Sequence, residues 1–321
     1  MTGVDPSQFS PMAVVSRSGV DESVHFGALV ALEKNGDIAF TVGDAHAHVF
    51  PRSSTKPIQA LAMVRNGLDL PVERLALVCS SHNGEAIHQQ TALAILASVG
   101  LDETALANTA SHPSHAGSAR EAIRAGVPPS ALQMGCSGKH SGMLATCVIN
   151  GWPVQGYLEQ DHPLQVAITR TVADVTGHEA FAIGIDGCGA PAHVVELVGL
   201  ARAMRAMAVG EAGESGSRIF AAMSQFPHLV GGSGRDVTKI VSGIPGLFAK
   251  DGADAVYAAA MSDGRAVALK MSDGYGRGTP TVLLAALKKL GVDVSGVDAS
   301  VVETVSGHGK PVGTVRAIGL D

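Results

Sequence analysis

Residues 52–57 read Arg-Ser-Ser-Thr-Lys-Pro, which sets Ser53 one helical turn ahead of Lys56. At the entry to a helix both side chains can share one face, and Pro57 suits a first turn that has no intrahelical N–H bond to lose. A lysine kept near a serine in a dry pocket gives up its proton more readily, and the free amine can then take the hydroxyl proton. The helix N-terminus favours the negative charge that develops. On residue types alone the same stretch also reads as an ordinary helix cap. Two further patterns follow in chain order: Ser81-His82-Asn83 in "CSSHNGE" is an S-x-N, and Lys250-Asp251-Gly252 is a K-x-G. Each by itself is also a common turn. Residues 134–143, "MGCSGKHSGM", place Cys136, Lys139 and His140 within five positions, and "DGCGAP" carries Asp186 and Cys188. For these cysteines the residues leave two readings, buried thiols or a thiolate metal site. His140 can orient a substrate or ligand, or be a satisfied core histidine. Asp186 can receive a substrate ammonium, or be a turn aspartate.

Such residues need elements to bring them together. The stretches "MAVVSRSG", "FGALVALEKNGDIAFTVG" and "AHAHVF" alternate or run apolar, with Asn35-Gly36 as a hairpin turn signal. From Lys56 to about Gln225 the period becomes helical, in "PIQALAMVRN", "AIHQQTALAILASVG", "SAREAIRAG", "HSGMLATCVING", "PLQVAITRTVADVTG", "AHVVELVGLARAMRAM" and "GSRIFAAMSQF". The apolar "RLALV" ahead of Ser81 reads as a strand. "ADAVYAAAMSDGRAVALKMSD" is a second hairpin turning at Asp263-Gly264, "TPTVLLAALKKLG" is a helix, and "KPVGTVRAIG" closes as a strand. The predicted fold is α/β of the α+β type. One antiparallel sheet is built from both chain ends, with strands at about 11–50 and 236–321 and a helical region at about 56–225. No repeat or linker divides the chain, so residues 1–321 read as a single catalytic domain.

Composition excludes several classes. With 46% hydrophobic and 16% charged residues, the 321-residue chain has ample material for a core and does not resemble a disordered one. A net charge of −6 and no basic run beyond Lys288-Lys289 argue against nucleic acid. The first residues show neither a basic nor an apolar leader region, and no apolar stretch is long enough to span a bilayer. The expectation is a soluble, cytoplasmic protein. Its four irregularly spaced cysteines do not read as a disulfide framework.

S-x-x-K, S-x-N and K-x-G in this order form the three-part signature of penicillin-binding proteins and serine β-lactamases. Taken with "CSGKHSGML" and "DGCGAP", "RSSTKP" and "CSSHNGE" resemble the asparaginase II family, the rhizobial-type third structural class of L-asparaginases, over positions 52 to about 260. The resemblance implies a β-lactamase-like or glutaminase-like fold, hydrolysis of L-asparagine to L-aspartate and ammonia, and a homodimer. It implies Ser53 with Lys56 as a first catalytic pair and Ser81 with Lys250 as a second. Arg52, His82, Asn83, His140 and Asp186 are the expected substrate contacts. It also implies a zinc ion held by Cys136, Lys139 and Cys188. Two thiolates are good zinc ligands, and three protein ligands leave a position for water or substrate, although a lysine must first lose its proton. A Ser-Lys peptidase or lactam acylase, and a non-catalytic zinc or amino-acid binding protein, are the competing readings.

Overall fold

The computed structural model describes residues 5–320; residues 1–4, the start of the stretch that lacks a leader pattern, and residue 321 lie outside the described residues. Among the described residues, eleven strands form two sheets. The N-terminal strands are β1 (Ser10–Arg17), β2 (Val20–Leu32), β3 (Ile38–Val42) and the short β4 (His48–Val49). Mid-chain come β5 (Ala182–Ile185) and β6 (Pro191–Glu196), and the C-terminal part adds β7 (Leu247–Gly252), β8 (Val256–Met261), β9 (Ala266–Met271), β10 (Thr304–Gly307) and β11 (Lys310–Ala317). The main sheet runs β10-β11-β1-β2-β9-β8-β7, with β3 also paired to β2, and all its pairings are antiparallel. Both chain ends therefore meet in its middle, as the sequence predicts.

The helices between them are α1 (Lys56–Arg65), α2 (Val72–Val78), α3 (Ala86–Ala97), α4 (Ala116–Arg124), α5 (Ser137–Ile149), α6 (Pro163–Thr176), α7 (Leu197–Ala208), α8 (Gly213–Gln225), α9 (Pro227–Val230), α10 (Asp236–Gly243) and α11 (Thr279–Lys289). Alternation along the strands divides the core. Ala28, Val30 and Leu32 of β2, with Ala258 and Ala260 of β8, face the larger helical layer. Leu29 and Ala31, with Tyr257 and Ala259, face a second core closed by α10 and α11. The sheet is thus covered on both faces.

Three local expectations are corrected. "RLALV" is helix α2, not a strand: a short apolar run carries no period of its own, and Pro71 ahead of it with Glu73 in the first turn favours a helix. The front of "AHVVELVGLARAMRAM" is strand β6, whose valines pair with β5 and β4 before α7 begins at Leu197. That small sheet, β4-β6-β5, was absent from the sequence reading. The helix expected from His140 begins one turn earlier, since α5 starts at Ser137 within the glycine-rich "CSGKH". A Cβ on Gly138 would collide with the Leu77 carbonyl oxygen, and one on Gly142 would lie 2.7 Å from Val78. These glycines let α5 press its first turns against α2.

Candidate active site

The turn Pro51–Thr55 leads directly into α1. Strand β7 holds it from one side. Ser54 Oγ donates to the Lys250 carbonyl at 3.0 Å, and any side chain at Gly252 would collide with the Pro51 carbonyl. Arg52 sits in the left-handed region at φ 52°, unusual for a residue with a side chain and a form of strain that clusters at functional sites. Its guanidinium donates to Asp186 at 2.8 Å and also pairs with Asp254. Ser53 beside it is half-buried, its carbonyl accepts the Lys56 backbone N–H, and no described residue hydrogen-bonds its hydroxyl.

Lys56, Lys139 and Lys250 are among the largest fully buried side chains of the protein. Long cations are seldom buried without partners, and each of these has them. Lys56 Nζ donates to the Ser80 carbonyl at 2.6 Å, to Ser81 Oγ at 3.0 Å and to Cys136 Sγ at 3.1 Å. Lys139 Nζ lies 3.1 Å from Cys188 Sγ. Burial disfavours the Lys139 charge, but the neighbouring sulfurs of Cys188 and Cys136 outweigh it and favour the protonated amine. A hydrogen bond from Cys188, together with the Lys56 and Lys139 charges, keeps the Cys136 thiol well below its ordinary range despite burial. Lys56, Cys136, Cys188 and Lys139 therefore form one continuous polar row. This row suits a thiophilic cation: two sulfurs in contact, one biased to thiolate, and an amine whose proton such an ion would displace.

Lys250 Nζ donates to the Asp251 carbonyl at 2.6 Å and to Asp251 Oδ1 at 2.7 Å. Burial pulls its pKa from 10.5 to about 8, although Asp251 opposes the shift. The carboxyl of Asp251 is itself pressed upward by burial but held far below the usual range by Lys250 and Arg235. The expected Ser81–Lys250 contact is therefore not formed. Ser81 meets Lys56, and Lys250 meets Asp251.

The remaining candidates divide. Asp186 stays near the cluster, but its carboxylate is paired; burial would raise its pKa, and the Arg52 hydrogen bond and Gly187 N–H hold it low. His82 is buried, with Nε2 2.9 Å from Ser137 Oγ and Nδ1 accepting from Gly84 N at 3.1 Å. Burial, then the charges of His88 and Lys56, keep it uncharged. Asn83 is likewise buried, its amide donating to the Ser233 carbonyl. Both hold the Ser81 loop in place. His140 Nδ1 pairs with Tyr157 Oη at 2.8 Å, and burial, aided by the Lys139 charge, drops its pKa to about 4. Sequence reasoning missed Asp251, Tyr157 and Arg235. Asp251 adjoins the K-x-G lysine and could have been singled out, whereas nothing local marks the other two. A separate group, Glu85, His88 and His228, has ligand atoms within 4.8 Å of one another, but the Glu85 N–H and the His228 carbonyl occupy both His88 nitrogens.

Among the described residues no helix is long and apolar enough to cross a membrane. No curated protein matches the chain significantly. Two solved structures are similar over most of it. One, described as Mglu in its native form, is 11% identical with a TM-score of 0.46, and the match covers 85% of this chain and 66% of that one, just under two thirds. A β-lactamase, Mb2281c from Mycobacterium bovis, is 17% identical with a TM-score of 0.45 over 82% of this chain and 94% of that one. The sequence profile of L-asparaginase II matches residues 13–317. Because that match spans nearly the whole chain and every residue of the polar cluster, the chain belongs to the L-asparaginase II family of amide hydrolases.

Proposed function

We propose that the protein hydrolyses L-asparagine to L-aspartate and ammonia by two-step acyl transfer, with Ser53 as nucleophile. The observation that carries this reading is Lys56: a buried amine 3.0 Å from Ser81 Oγ, at the helix start that follows Ser53 by one turn. In its amine form Lys56 takes the Ser53 proton as Ser53 Oγ attacks the side-chain amide carbon. Lys56 then returns a proton through the Ser81 hydroxyl to the departing nitrogen, ammonia leaves, and water cleaves the ester with Lys56 again as base. Arg52 and Asp186 at the rim offer a guanidinium and a carboxylate, which suit the substrate's α-carboxylate and α-ammonium. Lys250 supplies a fixed positive charge on the opposite wall.

Cys136, Lys139 and Cys188 are the residues that would hold zinc, which when bound supplies positive charge for placing the substrate and polarising neighbouring groups. The chain acts as one catalytic unit, in a homodimer, and its four free, buried cysteines suit the reducing cytoplasm. Ammonia release from L-asparagine, followed alongside acid-quenched mass spectrometry, tests the mechanism. An adduct of the aspartyl group on Ser53 and a loss of at least about 10³-fold in turnover for Ser53→Ala are expected. A folded Ser53→Ala protein with near-native turnover would sink the nucleophile assignment.

A further inference from the structure

Lys250 is fully buried, yet both of the contacts that Nζ makes are with one residue, Asp251. The other carboxylate oxygen of Asp251 takes Nη2 of Arg235. Arg235 in turn donates Nη1 to the Ser81 carbonyl at 3.3 Å. One chain of hydrogen bonds therefore joins Lys250 on β7 to the Ser81 loop, passing behind the residues assigned to the chemistry. Arg235 stands at the N-cap of α10, and Asp251 lies on β7 beside a cavity of about 250 Å³ that Asp236, Asp254 and Tyr257 help to line.

We propose that Asp251 and Arg235 are positioning residues for the hydrolysis, with Asp251 locking the Lys250 ammonium in place and Arg235 tying that lock to Ser81. The inference rests on the reading of Lys250 and Ser81 as parts of the reacting site. Its physical basis is the geometry of an ammonium. Two of the three N–H bonds of Lys250 are spent on Asp251, which fixes the direction of the third. Without the carboxylate, a buried lysine would be free to rotate and to shed its proton. The charged and titratable groups that face Lys250 are Asp251 on its own strand, Lys56 on α1, Cys79 at the end of α2, and Arg235 and Asp236 at the start of α10. Lys56 and Arg235 repel the ammonium, so Asp251 is the carboxylate that touches it.

The test compares Asp251→Asn, Arg235→Gln, Arg235→Lys and the Asp251→Asn/Arg235→Gln double variant. Asp251→Asn should lower kcat by at least tenfold with KM changed less than threefold, and should move the basic limb of the kcat profile to lower pH by at least one unit. Arg235→Gln should lose less, Arg235→Lys should regain part of that loss, and the double variant should fall short of the product of the two single losses. Unchanged limbs in Asp251→Asn, or losses that multiply fully, would overturn the proposal. A second readout needs no turnover. The gap in melting temperature between wild type and Asp251→Asn should shrink as pH rises from 7 to 10, because the ammonium that needs the carboxylate is then lost from both. If the gap closes while wild type releases no ammonia, the lock stands and the hydrolase reading fails. If wild type is active and the gap is constant, the lock fails alone. Should Asp251→Asn not fold, Arg235→Gln, altered at the more exposed end of the chain, carries the same comparison.

Discussion

A buried amine must find acceptors or give up its proton, and the three interior lysines resolve this differently. Lys56 is shared among a carbonyl, a hydroxyl and a thiol; Lys139 rests on a thiol; Lys250 rests on a carboxylate. For Lys139 the neighbour is also the route to a metal. Protein purified without chelator should contain about one zinc per chain by elemental analysis, and Cys188→Ser should lose most of it. Retention should weaken as pH falls, since protons compete for every ligand. Metal-free protein with full activity would leave the two thiols as core residues. His140 offers a second check at this scale. Its ring should titrate with a midpoint near 4 in imidazole NMR, and a midpoint near 6.5 would mean that it faces solvent. Much at this scale was legible in the sequence. Of the residues singled out in the sequence, Lys56 meets Ser81 and Cys136, and Lys139 meets Cys188, whereas Lys250 turns to Asp251 instead of Ser81. What spacing does not carry is which lysine meets which serine, because that depends on side-chain direction across three separate elements. The burial of His82 and Asn83 was equally hidden, since S-x-N looks the same whether it faces a cleft or a helix end.

At the scale of elements, glycine has two distinct uses here. Gly138 and Gly142 admit α5 against α2, which places Lys139 and His140 on the first turn of a packed helix and Cys136 at its N-cap. Gly138→Ala should therefore destabilise the fold by about 1–3 kcal/mol, since backbone cannot yield as a flexible side chain can. Chemical denaturation measures this, and metal content should fall in parallel as the turn is displaced. A loss under about 0.5 kcal/mol would show that α5 is free to shift. The sequence places the start of this helix at His140, not Ser137, because flexible turns and close helix contacts draw on the same residue, and one sequence does not separate them. Strand β6 was missed for a related reason: its two valines merge into the apolar period of α7 with no breaker between. The two hairpins were plain, because Gly36 and Gly264 both adopt positive φ at the turns their dipeptides mark.

At the scale of the whole molecule, the sheet joins the two ends of the chain. Ala13 pairs with Ala317, and Gly27 pairs with Met271. Removal of residues 304–321 would strip β10 and β11 from β1, leave the β1 edge open, and uncover Met12 and Val15 in the second core. Such a truncated protein is expected to melt at least about 5 °C lower, and to aggregate on heating. An unchanged melting curve would show that the C-terminal hairpin is a decoration. Pairing across the chain was foreseeable from strands at both ends with helices between, whereas closure of the second face by α10 and α11 was not. Their apolar stripes say that each buries a face, and not which layer it joins.

The grip of β7 on the serine turn carries a consequence for the order of events in synthesis. Ser54 is anchored to the Lys250 carbonyl, and Gly252 lies against Pro51, so the turn that carries Ser53 acquires its shape only when a strand made some two hundred residues later has docked. Contacts so distant along the chain are slow to form, because a long loop must close before any of them is rewarded. A nascent chain released up to α9 would own both serines and Lys56, and the contact of Lys56 with Ser81, but not the anchor that shapes the turn of Ser53. Hydrolytic competence is therefore a late event in the life of each molecule, arriving with the last strands of the central sheet and not with the helices that carry most of the reactive groups.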